Sequence, residues 1–471
     1  MRSAIKKSVF FVLTSVLLAS CATQTAYYNS LNSLVSEKRY AEAAAFAESS
    51  KQKEYGEKNA LLFYLDKGFL LHLSGQYEES LKYFEKAKKL AEEHFTKSVT
   101  KEAGTFLISD NVRPYYGEDF ERALINIFAS LNYIFLGKEN DALVEARQVD
   151  HLLKTLQTNY GQKSVYKEDA FARYLMGMLY ENQGQLNDAY ISYYNALEAY
   201  RDGYKYFNCA APQELVDDCL RLGQQLGFND DLAKIKADFT PANRNIPQGY
   251  GELVVLDYNG YSPEKIDNFF EIAFGRAWAY VESADVQGEE EQKKEDARAI
   301  ARSVLASDQI RMAFPKYVDV PYSVASIEVK SADGTLAARG KVADDIGSIA
   351  KVNLEDRINR IRIKTIVRAT IKFLLAQKVS QKVEEGNGQL AGWLAKKALT
   401  VAATATEKAD KRSWRSLPDK IVMARLALPK GTQSVKVVFK DRNGSSLSEQ
   451  TLDNIVIRPG KKTFVAVRSA Q

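Results

Sequence analysis

The chain has 471 residues, 45% hydrophobic and 27% charged, with 65 Lys+Arg against 60 Asp+Glu, three His and three Cys. Apolar content at this level excludes disorder and a collagen-like repeat, and three cysteines cannot staple a disulfide-dense scaffold. At about 150 residues per domain the length suggests roughly three structural units, and His72, His94 and His151 offer few candidates for imidazole chemistry.

Residues 1–20 have the parts of an export signal: the cations Arg2, Lys6 and Lys7, an apolar run over 9–18, and the small residues Ala19 and Ser20. The run is too short for a mature membrane span, which needs about 20 residues. Leu18-Ala19-Ser20-Cys21 resembles the bacterial lipobox, which implies cleavage before Cys21 and lipidation of its new N-terminus. Alanine rather than aspartate at 22 implies delivery to the outer membrane, facing the periplasm. No other segment approaches 18 uninterrupted apolar residues, so the lipid is the membrane anchor the sequence offers. Export into an oxidising compartment leaves Cys209 and Cys219 able to form a disulfide around Pro212, with two unrelated buried thiols as the alternative. No His or further Cys lies near enough to complete a tetrahedral metal set.

Residues 21–240 read as an irregular TPR-like helical repeat domain. Tyr64, Gly68, Leu71, Gly75, Tyr77, Ser80, Phe84 and Ala87 follow the tetratricopeptide spacing, and Gly177, Tyr180, Gly184, Leu186, Ala189, Tyr193 and Ala196 repeat it. Tyr133, Gly137, Ala142 and Ala146 make a weaker copy, and Leu31, Leu34, Tyr40, Ala43 and Ala47 a partial one. The turns at Gly75, Gly137 and Gly184 lie 62 and 47 residues apart, so extra segments interrupt the usual period of about 34. Each helix pair leaves apolar surface for its neighbour to cover, and the expected role of such an array is to hold a partner segment in its groove. Tyr133, Tyr180 and Tyr194 are candidate groove residues, since tyrosine joins contact area to a polar tip. Consensus packing is the alternative for each.

Residues 241–250, with two prolines and a glycine, read as a linker. Over 251–418 a mixed α/β region is expected. It begins with a strand at Leu253-Val254-Val255-Leu256 and continues with a helix from Ser262-Pro263-Glu264 through Phe269, Phe270, Ile272 and Ala273 towards Tyr280. A hairpin about Ala332-Asp333-Gly334 follows, then one long basic helix over 344–377. The Ala-rich run 390–405 reads as a core helix, with a helix lying on a membrane surface as the alternative. From 419 to 471, alternating segments parted by Pro429-Lys430-Gly431, Asn443-Gly444 and Pro459-Gly460 predict a sandwich-like antiparallel sheet. The fold class is therefore α+β and multidomain.

Charge divides along the same line. Residues 21–240 hold 25 Lys+Arg and 32 Asp+Glu, net −7, whereas 241–471 hold 37 and 28, net +9. The stretch 339–420 alone holds 18 cations and 9 anions. It is either a patch for anionic lipid or cell-wall polymer, or a set of solvated charges on helix backs. Behind a lipid anchor, nucleic acid is not an expected partner.

Several segments together resemble a largely uncharacterised family of bacterial TPR-containing outer-membrane lipoproteins. They are Glu121-Arg122-Ala123-Leu124, Ala142-Leu143-Val144-Glu145-Ala146-Arg147, the strand at 252–256, Phe314-Pro315-Lys316-Tyr317, and Asp410-Lys411-Arg412-Ser413-Trp414-Arg415-Ser416-Leu417-Pro418. The resemblance implies a periplasm-facing, lipid-anchored protein, with cell-wall assembly as its setting, and supplies no activity. Arg412, Trp414 and Arg415 form a candidate recognition cluster, with a packed tryptophan between solvated arginines as the alternative.

Phosphate-loop, nucleophile-elbow and paired-histidine motifs are missing from the sequence. Asp217-Asp218 and Asp344-Asp345 are more simply helix-start carboxylates than acid–base pairs. The expectation is a non-enzymatic scaffold without cofactor or metal that binds envelope proteins through the groove. A structural subunit of a secretion or motility complex and a wall-active enzyme are the alternatives.

Overall fold

The computed structural model describes residues 25–102, 111, 113–159, 165–284, 289–302, 304, 308–387 and 408–471. The signal, Cys21 and the run at 390–405 lie outside the described residues. The chain is α+β, with mostly antiparallel strands.

The first half is helical. After α1 (25–36) and α2 (Tyr40–Ser49) come three helical hairpins: α3 (Ala60–Leu73) with α4 (Tyr77–Glu102), α5 (Asp119–Phe135) with α6 (Glu139–Asn159), and α7 (Ala170–Asn182) with α8 (Leu186–Asp202). Each turns on a glycine with positive φ, Gly75, Gly137 or Gly184, a left-handed conformation that a Cβ disfavours. The α3 sequence is apolar nearly all round, and α5 is buried nearly all round with its polar residues included, because other elements cover them. Inside the hairpins, Gly68 lies under Phe84 and Gly177 under Tyr193: a Cβ at Gly177 would sit 2.3 Å from the Tyr193 ring. Gly177→Ala is therefore expected to cost about 1–3 kcal/mol by overpacking, to be read as a lower midpoint in denaturant; an unchanged midpoint would refute this close approach. Helices α9 (Gln213–Leu226) and α10 (Asn229–Asp238) close the array.

The second half supplies two four-stranded sheets. The first has the order β10-β1-β7-β6, from β1 (Tyr250–Asn259), β6 (Lys341–Asp344), β7 (Lys420–Pro429) and β10 (Lys462–Ser469). The second is β5-β4-β8-β9, from β4 (Ser326–Ser331), β5 (Ala337–Arg339), β8 (Gly431–Lys440) and β9 (Ser446–Ile457). Strands from both sides of residue 419 thus pair within each sheet. In β1, Val254, Leu256 and Tyr258 face the helices, while Leu253 and Val255 face the core shared with the second sheet. Burial on both faces explains why this strand reads as an unbroken apolar run rather than an alternating one. One expectation fails at the end of the chain: β10 runs parallel to β1, because the Pro459-Gly460 corner carries the chain from the second sheet to the first.

A two-stranded sheet, β2 (Glu264–Ala273) with β3 (Gln309–Val318), stands beside α11 (Phe274–Ser283), α12 (Glu289–Ala301) and α13 (Ile346–Asn387). Here the sequence misleads, since the helix expected from Ser262 to Tyr280 is a strand as far as Ala273. Ten cross-strand pairs with β3 override the Ser-Pro-Glu start signal, and Phe269, Phe270 and Ile272 suit a pleated surface. The hairpin at Ala332-Asp333-Gly334 forms as expected, and α13 is the long basic helix.

Candidate functional site: a basic cleft at the seam

The segment 408–419 lies as a strap between the helices and the sheets. Its centre, Trp414, is fully buried among Phe69, Phe84 and Phe128, at ring distances of 6.2, 6.1 and 6.0 Å. Its indole N–H donates to Ser416 Oγ at 2.9 Å. Two buried carboxylates hold the strap's backbone: Glu121 accepts the Trp414 N–H at 2.6 Å, and Asp66 accepts that of Ser416 at 3.4 Å. Asp66 is also bound by the hydroxyls of Tyr28 and Tyr55, and burial raises its pKa.

Glu121 occupies the first turn of α5, where its Oε2 reaches back to the Glu118 N–H at 3.0 Å and accepts the Tyr115 hydroxyl at 2.6 Å. Burial, followed by the Glu118 charge, pushes Glu121 up to about 7. Glu118 behaves oppositely: burial opposes its ionisation, but Lys265 and Arg357, both paired with it, hold it at about 2. Because Glu121's folded value lies above the ordinary 4.5, its contribution to stability is complete below about pH 4.5 and is lost as pH rises through about 7. Glu121→Gln removes that loss. The difference in melting temperature, variant minus parent, is expected to become more positive between about pH 5 and 8; a difference independent of pH would contradict the assignment.

Beside the strap opens a cavity of about 140 Å³. Among the described residues its walls carry Arg113, Lys265, Arg357, Arg360, Lys364, Arg368, Lys408 and Arg412 against Glu118 and Asp410. Three elements converge here: α13 contributes Arg357, Arg360, Lys364 and Arg368 from successive turns, β2 contributes Lys265, and the strap contributes the last two cations. Such a cleft can hold an anionic group by charge-assisted hydrogen bonds. Six cations of the basic stretch 339–420, Arg357, Arg360, Lys364, Arg368, Lys408 and Arg412, line this one seam. Among the described residues, no group of three or more His, Cys, Asp or Glu could hold a metal ion.

The candidate residues fare differently. Tyr133, Tyr180 and Tyr194 are half-buried against the helical core, on α5, α7 and α8. Tyr180 lies 5.7 Å from the Arg147 guanidinium and Tyr194 packs by Tyr190; no ring contact joins the three among the described residues. Trp414 is not a recognition surface, because it is sealed in the core. Its arginines are not simply solvated either: Arg412 grips Asp410 at 2.7 Å and the Arg113 carbonyl at 2.8 Å, and Arg415 pairs with Glu264 at 2.9 Å over the Tyr28 ring. The Cys209–Cys219 disulfide is not formed. Both are buried free thiols; Cys209 turns to the Val342 carbonyl on β6, whereas Cys219 packs on the inner face of α9, and burial raises both pKa values. The acid pairs have structural roles. Asp345 caps α13 through the Ser348 N–H, Asp344 accepts the Tyr204 hydroxyl, Asp217 binds Arg244, and Asp218 binds Arg425.

Reasoning from sequence missed Lys265 and Glu118, and placed Arg357 only within the basic stretch of the long helix. The acid at 118 followed three residues later by Glu121 is a capping-box signal that would have placed both at a helix start, but nothing in the sequence pairs them with β2 or α13.

No family model and no curated protein matches the chain. Among solved structures it is similar to BtubC (BKLC) from P. vanneervenii at 14% identity, over 49% of this chain and 94% of that one, with a TM-score of 0.30. A likeness this shallow carries no argument about fold or function.

Proposed function

We propose that the protein is a lipid-anchored, non-enzymatic scaffold of the bacterial cell envelope that binds an anionic group of a partner in the cleft at its seam. The observation that carries this reading is the convergence in the cleft, among the described residues, of eight cations and two carboxylates drawn from α13, β2, the strap and the approach to α5. The glycine-pivoted hairpins with TPR-like spacing support an interaction array, and the core shared by the two sheets supports a sandwich-like support beneath it. Cys21 in its lipobox context supplies the anchor and the outer-membrane address.

The test is crosslinking and affinity capture from intact envelopes, comparing the parent with Arg360→Glu/Lys364→Glu. Both residues line the cleft without sitting in the Glu118 cluster. Stable partners are expected with the parent and their loss with the variant, shown to be folded by its cooperative melting; the same partners with both would sink the cleft as the site. Separately, Cys21→Ala should move the protein from the outer-membrane to the soluble periplasmic fraction, and unchanged fractionation would refute the lipid anchor.

A further inference from the structure

We propose that the outer edge of β10 receives an extended peptide segment of a partner protein as an added strand. This rests on the scaffold reading and specifies a second, backbone-directed contact for it.

Strand β10 ends its sheet. The Glu252 N–H donates to the Lys461 carbonyl and the Gly260 N–H to that of Ser469, in a parallel register that sets Glu252 opposite Lys462. Odd-numbered residues of β10 therefore turn their backbone groups towards β1, and Lys462, Phe464 and Ala466 turn theirs outward. At Lys462 both outward groups are already met by one side chain: the Lys462 N–H donates to Asn182 Oδ1 at 2.7 Å, and Asn182 Nδ2 donates to the Lys462 carbonyl at 2.9 Å. The carboxamide, buried at the end of α7, imitates a residue of a neighbouring strand. One and two steps further along this edge, the N–H and C=O of Phe464 and Ala466 have no partner among the described residues.

The edge is not flush with the surface. It lines a cavity of about 1070 Å³ whose other walls are the α5–α6 turn, with Ile134 and Phe135, and the β9–β10 corner, with Val456. Val456 is 54% exposed. An incoming strand would continue the line begun by Asn182 and place alternate side chains against Phe135 on one side and Val456 on the other. The lining carries Lys138, Arg458, Lys461 and Lys462 against Glu139 and Asp141, but the Lys462 ammonium is paired with Glu181 and that of Lys461 donates to the Asn182 carbonyl, so the contact selects for an extended apolar segment rather than for net charge. A second folded copy is a poorer occupant, because its own β10 is recessed in the same groove and the two edges cannot meet.

The test uses the full chain, an eight-residue peptide of alternating threonine and valine, and the same peptide N-methylated at alternate amides. Amide exchange at Phe464 and Ala466 is expected to slow at least about 10-fold with the first peptide and not with the second. Ala466→Pro deletes only an outward N–H, a placement that edge strands tolerate, and is expected to weaken peptide binding at least about 10-fold. Absence of protection at both amides, equal binding of the N-methylated peptide, or undiminished binding to a folded Ala466→Pro variant would overturn the proposal. If that variant does not fold, the exchange measurement on the parent decides. Concentration-dependent dimerisation that protects the same amides would overturn it in favour of a second copy. Envelope crosslinks that form from the seam cleft but not from Val456 would sink this site while leaving the scaffold reading intact.

Discussion

Replacing Trp414 by alanine is expected to cost about 3–5 kcal/mol of stability, the range for removing a large aromatic side chain from a closed core. The indole touches α3, α4 and α5 through Phe69, Phe84 and Phe128, and its own backbone is held by Glu121. The loss therefore has two parts: the cavity itself, and loosened registry of a strap that also supplies Lys408, Asp410 and Arg412 to the cleft. Trp414→Phe keeps much of the volume and should recover more than half of the loss. Denaturant midpoints for the three proteins check the order, and an alanine variant as stable as the parent would show that the strap does not seal the seam.

The second large effect is expected at Arg425, buried on β7 with its side chain 1% exposed. Its guanidinium pairs with Asp218 of α9 and Glu252 of β1, and donates to the Tyr174 hydroxyl of α7 at 2.5 Å. Arg244 and Lys462 surround the same carboxylates. Burial alone would raise the carboxylate pKa values, but Arg425, followed by Lys462, outweighs it, placing Glu252 at about 2 and Asp218 below its ordinary range. Arg425→Met leaves both anions in a low-dielectric site with too few partners, at a cost of about 3–5 kcal/mol near neutral pH. The sign with pH is fixed. In the parent, carboxylates with depressed values stabilise above their unfolded values, about 4, and lose that contribution as pH falls through about 2. In the variant, protonation relieves buried anions left with only their weaker or more peripheral partners, so the deficit should shrink on acidification from about pH 7 to 4. A deficit that stays constant or grows over that interval would contradict the role assigned to Arg425.

These two positions show how much of the molecule was legible beforehand. Hairpin turns were readable because Gly75, Gly137 and Gly184 carry a local conformational requirement, and the strands around Asn443-Gly444 and Ala332-Asp333-Gly334 because turn chemistry is local too. The arginine, tryptophan and arginine of the strap stood out in sequence, but their placement did not: a tryptophan between cations reads equally as a surface or a plug, and only the ring of phenylalanines from three helices decides. Arg425 drew no notice within an apolar strand, since its partners lie 207 and 173 residues away. The strand at β2 was missed because pairing with β3, about 45 residues on, outweighs a helix-start signal that spans three residues. The cleft itself is long-range in the same sense, built from α13, β2 and the strap, so charge counting over 339–420 reached its cations from α13 and the strap but neither Arg113 nor Lys265, and could not find its walls.

The polar chain from Ser80 to Asn132, then His72, then the Tyr258 hydroxyl of β1 adds a third bond across the seam, with bond lengths of 2.9, 2.6 and 2.8 Å. Burial keeps His72 neutral by lowering it to about 4, in line with a ring that donates to Asn132 and accepts from Tyr258. Helices and sheets are thus joined by the strap, by the Arg425 network and by this chain. Scanning calorimetry of the parent and Trp414→Ala tests that union most directly: one cooperative transition is predicted, shifted as a whole to lower temperature by the substitution, whereas two separate transitions, with only one of them moved, would contradict it.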